Sequence, residues 1–366
     1  MPRPRSRLRL ADVAERAGVS LTTASRALAG RDGVREEVAA RVRRISQELG
    51  YVANPHARTL AGGTASTVGL VVHQIDDPYF SEIAGGVVQA ADERNLIVQI
   101  CQSGRNPQNE ARQIRHLIAQ RVGVIIIAGS GYVDPRMEAE SKAELSAFQD
   151  TGGRLTVIGR HFLGADAVRP DNKEGAETVT GHLLSLGHRR IAVAAGDVRL
   201  STVADRLAGV AAAVDRAGPP SDPVVPSLSA SASASASLSA SSSCELPVVH
   251  AEFTRDGGRE AAERILREHP DTTAIVALND AMAIGVLSAL RAHGVPVPHR
   301  MSVAGFDDVS FAADLAPGLT TVRLPLAEMG RQALALALRP PASRPRRKPT
   351  GHALVVRDST GPAPTG

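Results

Sequence analysis

The chain has no tryptophan, and only about 2% of its residues are aromatic. Two cysteines, Cys101 and Cys244, are too few for a disulfide framework, and neither has metal-ligand spacing. No apolar run reaches the roughly 18 residues of a membrane helix. The basic start, residues 1–9, lacks the apolar segment that would make it an export signal, which places the chain in the cytoplasm as an expectation. Catalytic signatures are missing as well. There is no phosphate loop ending in Gly-Lys-Ser/Thr and no nucleophile elbow. Gly129-Ser130-Gly131 has no third glycine at dinucleotide spacing. No catalytic residue, metal ligand or cofactor is expected.

Of the 366 residues, 43% are apolar, enough for more than one globular core. The net charge of +4 is unevenly spread. Residues 1–62 carry twelve arginines and no lysine against six acids, a surplus of +6 that leaves the rest at −2. A basic head on a faintly acidic body is the electrostatic footprint of a nucleic-acid-binding module joined to something else.

Leu10, Val13, Ala14 and Ala17 form the apolar stripe of a short helix. Gly18-Val19-Ser20 supplies a turn, a core plug and a cap for a second helix over 21–28, which buries Ala24 and Leu28. Val38, Val42, Ile45 and Leu49 mark a third helix ended by Gly50. Three such helices make a helix-turn-helix domain. Asn54-Pro55 is a good helix start and Gly62-Gly63 a stop, yet the helix between them is far below the roughly 12–15 residues that hold alone. It should fold only when docked.

From Thr67 onward, branched apolar runs at 68–72, 96–101, 122–127, 155–158, 191–195, 274–278 and 302–304 read as buried parallel strands. Amphipathic stretches near 81–94, 108–120, 175–187, 203–217, 257–268 and 280–293 alternate with them. The pattern predicts two parallel α/β sheets, with ligand binding beyond the carboxyl ends of strands. The Ser/Ala segment 227–244 is expected to be a disordered surface insertion, and the Pro/Arg-rich stretch 339–349 a loop.

Leu10-Ala11-Asp12-Val13-Ala14-Glu15-Arg16-Ala17-Gly18-Val19-Ser20, Thr22-Thr23-Ala24-Ser25-Arg26 and Glu48-Leu49-Gly50-Tyr51-Val52-Ala53-Asn54-Pro55 together resemble the start of the LacI/GalR family of regulators. Asp77-Pro78-Tyr79-Phe80, Leu186-Gly187-His188, Arg206-Leu207-Ala208-Gly209, Asn279-Asp280-Ala281-Met282 and Gly305-Phe306-Asp307-Asp308 continue the resemblance in family order. It departs at Ala29, where the family usually has Asn, and at Arg35, where it has a capping Ser or Thr. The resemblance implies a DNA-binding domain over 1–53, a hinge helix over 54–63 and a two-lobed, periplasmic-binding-protein-like effector and dimerisation domain over 64–360.

It implies further that 21–28 lies in the major groove. Leu21, Thr22 and Arg26 would face base edges there, and Thr23 and Ser25 the phosphates. Arg26 suits a guanine, and Thr22 a thymine methyl. Asn54 would start the hinge helix, and Leu60 would wedge into the minor groove. Cleft candidates are Tyr79, Phe80, Arg160, Arg206, Phe253, Asn279 and Asp307, a set of fork donors, acceptors and flat faces suited to a polyhydroxylated ligand. The implied protein is a homodimeric, non-enzymatic, DNA-binding transcriptional regulator, most simply a repressor. Its affinity for double-stranded operator DNA would be switched by a small molecule, first a sugar and second a nucleobase or nucleoside. The rival reading is a sugar-binding receptor module without DNA function.

Overall fold

The computed structural model describes residues 8–28, 30, 32–51, 67–218 and 246–365. Asn54, Leu60 and the Ser/Ala segment therefore lie outside the described residues, and so does Ala29. The chain divides into two compact units, with the boundary between Ser66 and Thr67.

The first unit is built on α1 (Leu10–Ala17), α2 (Leu21–Leu28) and α3 (Glu36–Leu49). Val13, Ala14, Ala17, Ala24, Ala27, Ala39, Val42 and Ile45 close its small core, with Leu28 only partly covered. Gly18 ends α1 in the left-handed conformation (φ 64°), where a side chain would be strained. Ser20 Oγ then accepts the Thr23 N–H at 3.1 Å, capping α2. At the start of α3, Arg35 gives no side-chain cap.

In the second unit, β1 (Thr67–Val72), α4 (Pro78–Asp92), β2 (Ile97–Gln102), α5 (Pro107–Ala119), β3 (Val124–Ala128), α6 (Ala139–Asp150), β4 (Arg154–Ile158) and β5 (Asp166–Arg169) begin the first lobe. The second lobe contains α7 (Asn172–Ser185), β6 (Ile191–Ala195), α8 (Ser201–Ala217), β7 (Val248–His250), α9 (Arg255–Glu268), β8 (Ala274–Ala277), α10 (Asp280–Ala292) and β9 (Ser302–Ala304). The chain continues through β10 (Thr321–Arg323), α11 (Leu326–Ala337), β11 (Arg347–Pro349) and β12 (Ala353–Val355).

The first sheet runs β11-β5-β4-β3-β1-β2 and the second β7-β6-β8-β9, both parallel throughout. Strands β10 and β12 pair antiparallel on their own. Alternation along β1 sends Val68, Leu70 and Val72 to one core and Val71 to another, so each sheet face is covered by helices. Gly86 on α4 and Gly330 on α11 each abut the other helix's backbone so closely that a Cβ would collide with it. This pair lets the two helices pack tightly.

Strands expected from apolar runs are all present within two residues. The stretch 339–349 is not wholly a loop: its end, β11, adds a parallel edge strand beside β5. Residues 347–349 are all exposed, and an edge strand needs no apolar alternation.

Candidate functional site

Helix α2 presents Leu21 to solvent at 55% exposure, with Thr22 and Arg26 also exposed and Thr23 and Ser25 half-buried. Thr23 Oγ1 lies 2.8 Å from Ser20 Oγ, so this hydroxyl is partly committed to the cap. Arg9, Arg16, Arg35, Arg41 and Arg44 are exposed around the same unit.

In the second unit, loops leaving the carboxyl ends of both sheets converge on a cavity. Tyr79, Phe80, Arg206, Phe253, Asn279 and Asp307 line it. The site gains His73, Asp77, Arg105, Ser130, Leu200 and Thr202, which reading for sugar-like chemistry missed. The signal that finds them is position: His73, Arg105, Ser130 and Leu200 each lie within five residues of the end of a strand.

Arg206 is the centre of a buried network. Its Nε donates to Asn172 Oδ1 at 2.9 Å, its Nη2 to Asp307 Oδ1 at 2.8 Å and its Nη1 to the Leu278 carbonyl, while Phe306 lies 3.7 Å beneath the guanidinium. Asp307 holds a φ of 117°, a region that favours glycine. The strained residue is clamped by its N–H bond to the Val322 carbonyl at 2.8 Å. Burial pushes its carboxyl up to about 7, against the pull of Arg206. Asn279 caps α10, accepting the Met282 N–H at 2.8 Å, which leaves its amide NH₂ for the cavity.

On the facing lobe, Asp77 caps α4 through the Tyr79 N–H at 3.0 Å, and burial raises its carboxyl. His73 Nε2 donates to the Ser130 carbonyl at 3.1 Å and its Nδ1 lies 3.0 Å from the Ser103 hydroxyl. Burial and then Arg105 push the imidazole down to about 3, so it stays neutral. Arg105 Nη2 lies 3.7 Å from Asp77 Oδ2, and its guanidinium carbon stands 6.0 Å from the Phe80 ring centre and 5.7 Å from that of Phe253.

Arg160 does not line the cavity, and here the expectation is corrected. Its Nη2 reaches across the lobes to Asp205 Oδ1 at 2.9 Å, and its Nε to Asp205 Oδ2 at 3.2 Å. The strand end is shared with the cleft, but the side chain turns to α8.

The first unit matches the profile of bacterial regulatory proteins of the lacI family over residues 9–54. The second matches periplasmic binding proteins and sugar binding domain of LacI family over 65–242, and a periplasmic binding protein-like domain over 180–360. The HTH-type transcriptional regulator DegA of Bacillus subtilis is 30% identical over 364 residues, covering 97% of this chain and 98% of DegA. The chain belongs to the LacI family. It is a DNA-binding transcriptional regulator. Another LacI-family relative, GalR of Escherichia coli, is 30% identical over 336 residues, with 91% of this chain and 89% of GalR covered.

Among solved structures, the transcriptional regulator CelR–cellobiose complex is 28% identical, with a TM-score of 0.66 over 96% of this chain and 100% of that one. The lac repressor dimer bound to operator and the anti-inducer ONPF superposes with a TM-score of 0.76 over 97% and 100%, at 23% identity, a likeness of fold. The two-lobed, parallel-sheet architecture and the helix-turn-helix are thus those of the family. No described helix is long and apolar enough to cross a membrane.

Proposed function

We propose that this LacI-family regulator acts as a cytoplasmic homodimer on a pseudo-palindromic operator, as a repressor, and that a neutral sugar bound between its lobes sets its DNA affinity. The observation carrying this reading is the cavity itself. Two lobes contribute to it, and its two carboxylates, Asp77 and Asp307, each stand beside a guanidinium, Arg105 and Arg206. Such pairs offer fork donors and acceptors beside flat aromatic faces, which suits hydroxyl groups.

Tyr79, Phe80, Arg206, Phe253, Asn279 and Asp307 are assigned to the effector. On DNA, Leu21, Thr22 and Arg26 read base edges while Thr23 and Ser25 hold phosphates. Asn54 starts a hinge over 54–63, which joins the domain over 1–53 to the effector domain over 64–360, and Leu60 within it enters the minor groove of the operator. The effector acts by favouring one lobe arrangement, a population shift between two states.

The test is operator selection from random duplexes with the purified chain, followed by anisotropy titrations with and without a panel of neutral sugars. A selected pseudo-palindrome whose affinity changes on adding one sugar is the expected result. A chain that selects no sequence, or whose operator binding ignores every sugar, overturns the proposal.

A further inference from the structure

The end of the first lobe that points away from the cavity is basic. Its strands stand in the order β11-β5-β4-β3-β1-β2, and Arg347, Arg154, Arg121 and Arg94 lie at or just before the amino ends of β11, β4, β3 and β2. At about 4.8 Å between neighbouring strands, the row is about 24 Å wide. Of the described acids at this end, Asp92, Glu93, Asp150 and Asp166, two are already paired. Glu93 lies 3.2 Å from Arg94, and Asp166 lies 2.5 Å from Arg346.

Strand β1 starts inside this row. The Gly123 N–H donates to the Thr67 carbonyl at 3.0 Å, and the Arg154 N–H to the Gly123 carbonyl at 3.1 Å. The chain coming from the DNA-binding unit therefore enters the lobe through its basic end. The intervening residues, 52–66, span at most about 50 Å when fully extended, so a duplex held by the first unit is within reach of that end.

Part of the row serves the helices. Arg94 donates to the Ala90 carbonyl at 2.6 Å, and Arg121 and Arg339 follow the ends of α5 and α11, where a cation eases the helix dipole. Arg344, Arg346 and Arg347 belong to no helix. They lie on a strap between α11 and β11 that is pinned at both ends. Arg154 Nη1 donates to the Leu338 carbonyl at 2.6 Å, and Arg346 Nε to Asp166 Oδ2 at 2.8 Å. Beneath the strap runs a groove of about 250 Å³ lined by Arg154, Asp166, Arg339 and Arg346. Arg154 and Arg346 spend their donors on these bonds, so the groove aims little at a small anion. Arg339, Arg344 and Arg347 are exposed, and none makes a side-chain hydrogen bond or ion pair among the described residues. Free cations on a rigidly held rim suit a long polyanion, whose phosphates they meet by displacing counterions.

We infer that this end of the effector domain is a second DNA-contacting surface, on which Arg339, Arg344 and Arg347 sit against the phosphates of the duplex that the helix-turn-helix holds. The surface adds affinity without reading sequence. The inference rests on DNA binding by the chain and is independent of which effector the cleft takes.

Anisotropy titrations of the full chain test it, with the selected operator and a long random-sequence duplex, at salt concentrations between about 50 and 200 mM. The triple variant Arg339→Gln, Arg344→Gln, Arg347→Gln should flatten the slope of log affinity against log salt by about two to three per chain, since each phosphate contact contributes about 0.9. Operator and random duplex should lose affinity alike, about tenfold or more at the lowest salt, so selectivity is kept. A charge-matched control, Arg190→Gln, Arg267→Gln, Arg291→Gln, removes three exposed arginines at the amino end of the second sheet and should leave the slope as it is. A circular-dichroism melt reports whether the triple variant keeps its fold. Arg344→Gln alone, in neither helix nor strand, carries the test otherwise, with a slope change of about one. An unchanged slope overturns the inference, and so does an equal change in the control, which would make net charge the cause. Calorimetric binding of inorganic phosphate that the triple variant loses, with the DNA slope unmoved, would give the groove to a small anion and overturn it too.

Discussion

Arg206 Nη2 lies 2.8 Å from Asp307 Oδ1, with both side chains almost wholly removed from solvent and one strained backbone position holding the carboxylate in place. The first comes from the opening turns of α8 and the second from the loop after β9. Their pairing ties the start of a helix to a loop of the same lobe beside the cavity they line. A buried pair of this kind is weak evidence for stability, because desolvating two charges offsets much of their attraction.

Two effects separate here. Arg206→Ala leaves Asp307 buried beside a void and should cost about 3–5 kcal/mol of stability in urea unfolding. The double substitution Arg206→Met with Asp307→Asn removes both charges and should recover most of that loss. Effector binding, read by calorimetry, should stay absent in the double variant. Recovery of binding together with stability would mean that the pair serves packing alone.

A second consequence concerns pH. His73 is held neutral because burial pushes its imidazole down to about 3. The unfolded chain returns it to the ordinary value near 6.5. The folded form therefore binds fewer protons, so the stability this residue contributes is complete above about 6.5 and lost as pH falls toward 3. Asp307 has the opposite sign, since its raised carboxyl favours the folded state below about 4 and loses that contribution as pH rises through about 7. It is present in both wild type and His73→Gln, so their difference isolates the histidine. That difference should shrink between pH 6.5 and 4.5 by up to about 1.4 kcal/mol per pH unit. A difference that stays flat across this window would show that His73 accepts a proton freely.

Arg160 supplies a contrast to Arg206. It bridges the lobes through Asp205, but both side chains are about one-third exposed, 33% and 32%. Solvent screening holds such a pair to about 1 kcal/mol or less. Arg160→Met should weaken effector binding by no more than about fivefold, through a lobe equilibrium slightly less favourable to closure. A loss beyond a hundredfold in the same titration would place Arg160 on the ligand itself.

Much of the architecture could be read in advance, for a physical reason. Strands such as β3 and β6 are buried on both faces, so they stand out as unbroken apolar runs. Strand β11, Arg347–Pro349, is an exposed edge of charged residues and proline, and nothing in such a triplet distinguishes it from a loop. Helix α6, rich in Ala, Ser and Glu, buries only Ser141, Leu145 and Phe148 and has too faint a stripe to be found. In the cleft, Phe80, Arg206 and Asp307 drew notice through residue type. Arg105 and His73 sit in polar loops where type says little, and only the strand ends they follow point to the cavity. For Arg160 the strand end was legible and the direction of its side chain was not. Its partner Asp205 lies 45 residues away in sequence.

The same distinction between position and direction bears on α2. Arg26 is exposed on the helix that also exposes Leu21 and Thr22. If it donates both forks to one guanine, Arg26→Ala should weaken binding to the selected operator by about 1–3 kcal/mol while changing affinity for a scrambled duplex far less. The salt dependence of operator binding should keep nearly the same slope, because counterion release follows phosphate contacts and this arginine would contact a base. Substituting the matched base pair should cost the wild type about as much as Arg26→Ala does, and should cost the variant almost nothing further. Anisotropy titrations of the two proteins against the two duplexes at several salt concentrations read all of these quantities. An equal loss on operator and scrambled DNA, with a shallower salt slope, would move Arg26 from the base edge to the phosphate backbone.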